Sequence, residues 1–334
     1  MRFYNIEITE QDGSPVIDIQ KNPVGPFTSL MQYGAVTNLA ALNVYIDLPI
    51  STYDAPLGGA MVRIWGLPLY FISQASNLNG KKIKVYGGMS AGLPLANPAQ
   101  QGILVEATIQ QAFGNWQGTN QTLDMFIRPS DGGALSVKNL TLDWKNDTPM
   151  AGAVQQTLET AFKDQGFKVD VKISPDLVAY ETITAPYQSV TQFAKKLQEY
   201  SKNIIKDEKY QGVKISFSNK TFYVYDGTEP STNPTVIQFN DFVGQPTWFQ
   251  PGTVTFKTVM RGDIALGDYI VFPANATSAY QLTTAGSQPQ ARQRSAFNGV
   301  YQIQKIRHLG EFRQRGGDNW VTVFEATPES NISL

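Results

Sequence analysis

The chain has no cysteine and a single histidine among 334 residues. Without thiols there can be no disulfide framework, no thiolate nucleophile and no thiolate metal site. One histidine, His308, cannot by itself build a multi-histidine metal centre or a cysteine–histidine pair. Within "YQIQKIRHLG" it reads as a surface residue near the end of a strand. Charge is also scarce: Asp, Glu, Lys and Arg make up 16% of the chain and the net charge is −1, against roughly 25% charged residues in an average soluble domain. So small a net charge offers no electrostatic footprint for nucleic acid. No apolar run approaches the roughly 20 residues that span a bilayer. The start, "MRFYNIEITEQDGSP", lacks the apolar core of a signal peptide. These absences predict a protein of the cytoplasm that makes no contact with membrane.

Asn, Gln, Ser, Thr and Gly stand where charge is missing. Such a surface is polar yet inexpensive to desolvate, which suits a chain packed against other chains. The first third is read as β. In "YNIEI" Tyr4, Ile6 and Ile8 share one face, and Asp12-Gly13 before "VIDI" predicts a hairpin. Further short strands, separated by Gly, Pro and Asn, predict a sandwich or barrel. Near residue 148 the period changes. Met150, Val154, Leu158 and Phe162 fall four apart behind Thr148 as N-cap and Pro149 at the first helical position. A second helix opens at Ser189 with Gln192 three residues on. "VKISF" and "TFYVY" predict a hairpin. The chain then returns to β. The fold class is therefore α+β and mainly β: two β-barrels flanking a small α/β module, with units at 1–132, 133–228 and 229–334. The stretch 274–296 reads as a long polar loop.

The motifs point away from chemistry. No phosphate-binding loop, nucleophile elbow, zincin or calcium-loop spacing is present. Asp143 and Asp147, with Asp124, are the nearest to a carboxylate cluster and the only support for a glycosidase. Asp147 is better explained by the helix start that follows it. Cofactors and metals are expected to be absent, and the chain is not expected to be an enzyme. Three basic groups, Lys81/Lys82/Lys84, Lys195/Lys196 and Arg292/Arg294/Arg307/Arg313/Arg315, read as solvated faces, the last also as an interface or lumen. The tripeptide Arg261-Gly262-Asp263 resembles an adhesion sequence. Its place between two strands, before Gly267, favours a solvated connector instead. Trp65, Trp116, Trp144, Trp248 and Trp320 read as core or interface anchors. An exposed Trp116 or Tyr280 would be the platform of a carbohydrate- or receptor-binding protein, the alternative function.

Two stretches go further. Residues 62–127 run through a strand that ends in a Gly87-Gly88-Met89 turn, a "GLPLA" loop and a strand opening Gly-Ile-Leu. They resemble the first tube-like barrel of bacteriophage baseplate hub proteins. Residues 140–197, with Trp144 and Ser189, are similar to the α/β module of the same hubs. "MRGDIALGDYIVFP", where Gly267-Asp268 turns into a strand, resembles their second barrel. The long 274–296 loop has no counterpart in the pattern. The resemblance implies two tail-tube-like barrels per chain and a homotrimer that forms a pseudo-sixfold ring. It implies as partners the central spike, the tail tube or its initiator and other baseplate proteins. DNA would pass without specific binding, and the location would be the virion, after assembly in the host cytoplasm.

Overall fold

The computed structural model describes residues 1–31, 38–55, 59–90, 97–129, 139–207, 210–218, 221–228, 233–250, 252–272, 297 and 299–329. The "GLPLA" loop and all of 274–296, with Tyr280, Arg292 and Arg294, lie outside them.

The described residues are mainly β. The first part carries β1 (Arg2–Thr9), β2 (Phe27–Thr28), β3 (Val44–Ile50), β4 (Ala60–Trp65), a short helix α1 (Leu69–Ile72), β5 (Lys82–Met89), β6 (Gly102–Gln117) and β7 (Asn120–Pro129). Then come β8 (Leu140–Trp144), α2 (Met150–Ala161), β9 (Lys168–Lys172), β10 (Ile183–Tyr187), α3 (Val190–Ile204), β11 (Lys214–Ser218) and β12 (Thr221–Tyr225). The last part holds β13 (Thr235–Val236), β14 (Thr247–Gln250), β15 (Thr253–Val259), β16 (Tyr269–Val271), β17 (Val300–Glu311) and β18 (Trp320–Pro328). No helix among the described residues is long and apolar enough to cross a membrane.

The two barrels expected from the sequence are not what the strand pairing records. One 13-stranded sheet runs β14-β15-β18-β17-β3-β4-β7-β6-β5-β1-β2, with β16 on β17 and β13 on β16. No ladder between its end strands closes it among the described residues. The link between the two β flanks is β17. Its first residues pair with β16, and from Ile306 onward it pairs with β3 of the first flank. A strand that changes neighbour along its length joins the two units, while its other edge stays on β18 with one register shift between Ile303 and Lys305.

Three apolar clusters form. The first lies under β1 and β3–β7, and it takes in Met260 and Trp320 from the far end of the sequence. The second belongs to the α/β module. The third lies under β15–β18. In the module the helices arise where the period predicted. Met150, Val154 and Leu158 of α2, and Val190, Phe193, Ala194 and Leu197 of α3, are buried against short sheets. Those sheets are two, β8 with β10 and β9 with β12 and β11, rather than one. The start of α2 differs by a residue from the sequence reading: Pro149 is the cap and the Thr148 hydroxyl donates to the Lys145 carbonyl at 2.6 Å. A proline carries no N–H, so it fits either terminal position. The hairpin predicted around Asp12-Gly13 is reduced to isolated bridges, Thr9 to Pro15 and Ile17 to Pro23. β1 takes β5 and β2 as its partners, which turns Tyr4, Ile6 and Ile8 into the first core, whereas Ile17 and Ile19 stay exposed.

The first core is incomplete without the last strands. Phe312, just after β17, meets Tyr4 edge-on at 4.9 Å and Trp320 at 6.0 Å. The Arg2 guanidinium donates to the carbonyls of Glu311, Phe312 and Gly316 at 2.7–3.0 Å and holds that turn against β1. Trp320→Ala is expected to cost about 3–5 kcal/mol. Hydrogen exchange should place the loss in β4–β6 rather than in β15, although Trp320 lies beyond residue 300 in sequence.

Candidate functional site at the seam between the cores

β15, β17 and β18 each pass from the third cluster to the first, and each carries a polar residue at the crossing. On β15, Val254 and Phe256 belong to the third cluster and Met260, just past its end, to the first, with Thr258 between. On β18, Phe324 and Ala326 precede Thr322 and then Trp320, read toward the first cluster. On β17 the series is Ile306, His308, Gly310. Side chains two apart share a face, so the polar residues fall on the same side as the cores. They are also neighbours across the sheet: Thr258 pairs with Thr322, and Thr322 with His308. A buried polar row thus separates two apolar cores under one sheet.

The row is hydrogen-bonded. Thr322 Oγ1 accepts the Arg261 N–H at 3.1 Å and lies 3.2 Å from the Arg261 carbonyl and 2.9 Å from His308 Nδ1. With the threonine proton given to the carbonyl, satisfying every group requires His308 to carry its proton on Nδ1 and donate it. His308 is 2% exposed, so it is a core residue and not the surface residue expected from the sequence. Burial pushes its pKa down to about 3, which keeps the ring neutral.

Arg261 corrects the sequence reading as well. It is 3% exposed rather than solvated. Its Nε and Nη2 donate to the two carboxylate oxygens of Asp263 at 2.7 Å each, and Nη1 donates to Asp241 Oδ2 at 3.2 Å. Asp241 Oδ1 accepts the Gln100 side-chain amide at 2.9 Å, and Asp241 Oδ2 also accepts the Gln238 N–H at 3.0 Å. The chain Gln100–Asp241–Arg261–Asp263 therefore ties the first flank to the second. A receptor would find the arginine already engaged.

The backbone closes in at the same place. Gly262 N–H donates to Gln100 O at 2.9 Å. A Cβ on Gly102 would lie 2.6 Å from the Gly262 carbonyl oxygen, so the pair of glycines allows two backbones to touch. Gly87, Gly88 and Met89 are not a turn but the end of β5, opposite Tyr4, Phe3 and Arg2. Gly88 accepts the Trp320 indole N–H at 2.9 Å. A Cβ on Gly87 would fall 2.5 Å from Leu104 and 3.2 Å from the Met260 sulfur. The Gly-Gly-Met and Arg-Gly-Asp segments, far apart in sequence, thus meet at one seam.

The remaining residues singled out by sequence lie elsewhere. Trp144 is buried in the module, its N–H donating to Thr148 O at 2.8 Å. Ser189 Oγ accepts the Gln192 N–H at 3.2 Å and caps α3. Gly267, at φ +86°, lies against the Tyr225 ring, where a Cβ would come within 2.8 Å. Asp268 accepts the Ala265 N–H at 2.7 Å, and burial raises its pKa. Gly267 thus docks the module on the second flank, and Asp268 holds the turn that presents it. Asp143 accepts the Thr184 hydroxyl and Asp147 the Asn146 amide, so the two carboxylates are separately engaged. Among the described residues no cluster of His, Asp and Glu fits a metal ion.

The face of the sheet opposite the cores is charged in matched pairs between adjacent strands. They are Lys305–Glu325 at 2.8 Å, Arg307–Asp47 with two contacts of 2.7 Å, Arg63–Asp124 at 2.6 and 2.9 Å, and Lys84–Glu106. Asn115 also donates to Asp124 at 2.8 Å. Trp116, at the tip of β6, is 62% exposed and its N–H donates to Gly118 O. Elsewhere on β6 and β7, Phe113 and Phe126 meet edge-on at 6.0 Å.

No family model and no curated protein matches the chain. Among solved structures, the tail protein from Neisseria meningitidis MC58 aligns over 98% of this chain and 96% of its own, at 9% identity and TM-score 0.48. The 43 kDa tail protein of prophage MuSo2 from Shewanella oneidensis aligns over 98% and 99%, at 7% identity and TM-score 0.49. A Francisella PdpA–VgrG complex aligns over 99% of this chain and 58% of its own, at 8% identity and TM-score 0.44. At such identities and scores the overlaps establish neither family nor function.

The seam makes three predictions. A histidine held neutral at a folded pKa near 3 binds fewer protons than the unfolded chain once pH drops below about 6.5. Its contribution is therefore present at neutral pH and lost as pH falls from about 6.5 toward 3, by an amount on the order of a few kcal/mol. Urea midpoints of His308→Gln at pH 7 and pH 4 should differ less than those of the parent chain. Separately, Arg261→Met should cost about 3–5 kcal/mol by leaving Asp241 buried without its cation. The folded chain should not compete with a linear Arg-Gly-Asp peptide for an adhesion receptor, whereas the unfolded chain should.

Proposed function

We propose that the chain is a non-enzymatic structural subunit of a phage-type tail or injection assembly, a hub of which three copies close a ring. The observation that carries this reading is the single hydrogen-bonded sheet that passes through two separate cores. A subunit whose two β units are rigidly coupled can occupy two neighbouring positions of a six-membered ring, so that three copies imitate six. In this reading 1–132 and 229–334 are the two tube-like units and 133–228 is the module between them. The polar seam keeps the two units in fixed register, which a ring under axial load requires.

The matched charges on the open face support the same reading. Such pairs add little stability, but each cation in them is matched by a carboxylate and offers phosphate little net charge. A face so balanced would line a passage for DNA without holding it. The central spike would meet one side of the ring, and the tail tube or its initiator the other, with further baseplate proteins around them. The virion would be its place. A second reading, a carbohydrate- or receptor-binding protein of a tail, draws on exposed Trp116 at the tip of β6.

Light scattering of the purified chain should give a mass three times 36.9 kDa, with the spike's own mass added when the spike is present, and averaged particle images should show a threefold ring with six similar lobes. A chain that stays single in both conditions would refute the hub. A glycan array should be silent; specific binding lost in Trp116→Ala would favour the second reading.

A further inference from the structure

We propose that Lys214 and Gln304 are joined, or become joined, by an intramolecular isopeptide bond that ties the α/β module to the second β flank. The two residues are 90 apart in sequence and belong to different units: Lys214 opens β11 and Gln304 lies in β17. The lysine Nζ donates to Gln304 Oε1 at 2.5 Å, which brings the amine beside the carboxamide carbon. The carboxamide is held from its other end as well. Its Nε2 donates to Gln302 Oε1 at 3.1 Å and to Thr327 Oγ1 at 3.0 Å. Gln302 is itself buried, and its own amide donates to Gly267 O at 3.2 Å. The electrophile is thus held by Gln302 and Thr327, independently of the nucleophile that touches it.

The lysine is also chemically prepared. Burial, with Lys202 and Lys305 adding to it and Asp54 opposing, lowers its pKa to about 8. A useful fraction of the amine is therefore neutral and nucleophilic close to neutral pH, whereas an ordinary lysine titrates near 10.4. Lys214, Gln302, Gln304 and Thr327 line one small cavity together with Asp226 and Glu329, so there is space beside the carboxamide for the leaving group. The atoms balance without a co-reactant. The Lys214 Nζ–Gln304 Cδ bond forms and the Gln304 Cδ–Nε2 bond breaks. The protons given up by the amine leave with Nε2 as ammonia, or as ammonium when Lys214 starts charged. The Thr327 hydroxyl touches Nε2 and is placed to relay a proton to it. Proximity of this kind lowers the barrier by removing the entropy of encounter.

A bond here would complement the docking by Gly267 and Tyr225. The module would then remain attached under a force that peels strands apart.

The test is the mass of the intact chain after incubation at pH 8.5, followed by peptide mapping. The expected result is a species lighter than the sequence mass by one ammonia, with a branched peptide containing both Lys214 and Gln304. It should accumulate faster at pH 8.5 than at pH 6. Lys214→Arg keeps a cation but lacks the primary amine, and Gln304→Met keeps the length but lacks the carboxamide; both should retain the full mass expected of their sequences. A parent chain of full sequence mass at every time point overturns the proposal. So does an ammonia loss that maps to the Asn79-Gly80 succinimide or to any other pair. The mass and peptide map of the parent chain are sufficient to decide between these outcomes, even if a variant fails to fold.

Discussion

The rest of the structure depends on a buried cation that sits between two apolar cores. Arg261 can be there only because Asp263 takes two of its donors, Asp241 a third, and Gln100 completes the carboxylate of Asp241. Removing a charge from water is expensive, and a buried pair recovers the cost only when geometry and secondary hydrogen bonds are good. A fully paired cluster of that kind is a poor source of stability but a strong specifier: any displacement of one flank against the other leaves a buried charge unmatched. The row Thr258, Thr322 and His308 extends the same constraint across three strands. The seam therefore sets how the two β flanks sit on a shared sheet.

From that constraint the packing follows. β17 and β18 must be long enough to reach both cores, so they place His308 and Thr322 at the crossing and Phe312 and Trp320 beyond it. Close backbone approach is needed where the two flanks touch, which is why glycines occur at 102 and 262. The module attaches at the other side of the second flank through Tyr225 against Gly267 and through Lys214 against Gln304. The open face is left to the ion pairs. Their balance of sign keeps the face wet without giving it a field.

Much of the local structure was legible. Alternation in "YNIEI" and "TVTFKTV" marks the inward residues, and the four-residue spacing from Met150 marks α2, because each pattern reports a face the residue itself must bury. Ser189 with Gln192 marks the cap of α3 by chemistry confined to one turn. The readings that went wrong concern polar residues whose partners are distant. His308 and Arg261 look like surface residues in a window of ten, since nothing nearby in sequence announces Thr322 or Asp241. A signal was present all the same: Thr258 and Thr322 each interrupt an apolar face at one position, an economy hard to explain in a simple two-sided strand.

The sequence by itself determined the β-rich class, the α/β interruption in the middle third, and the lack of thiol or multi-histidine chemistry, since these rest on composition and on periodicities of a few residues. Only the tertiary structure decided that the two β flanks share one sheet, that the Gly-Gly-Met and Arg-Gly-Asp segments meet, and that the lone histidine is buried. Those outcomes are set by pairings between residues far apart in the chain, such as Arg261 with Thr322 and Gly88 with Trp320, 61 and 232 positions apart. Contacts of that kind gain their energy only once the ladder has brought the partners together, so no short stretch of the chain carries their record.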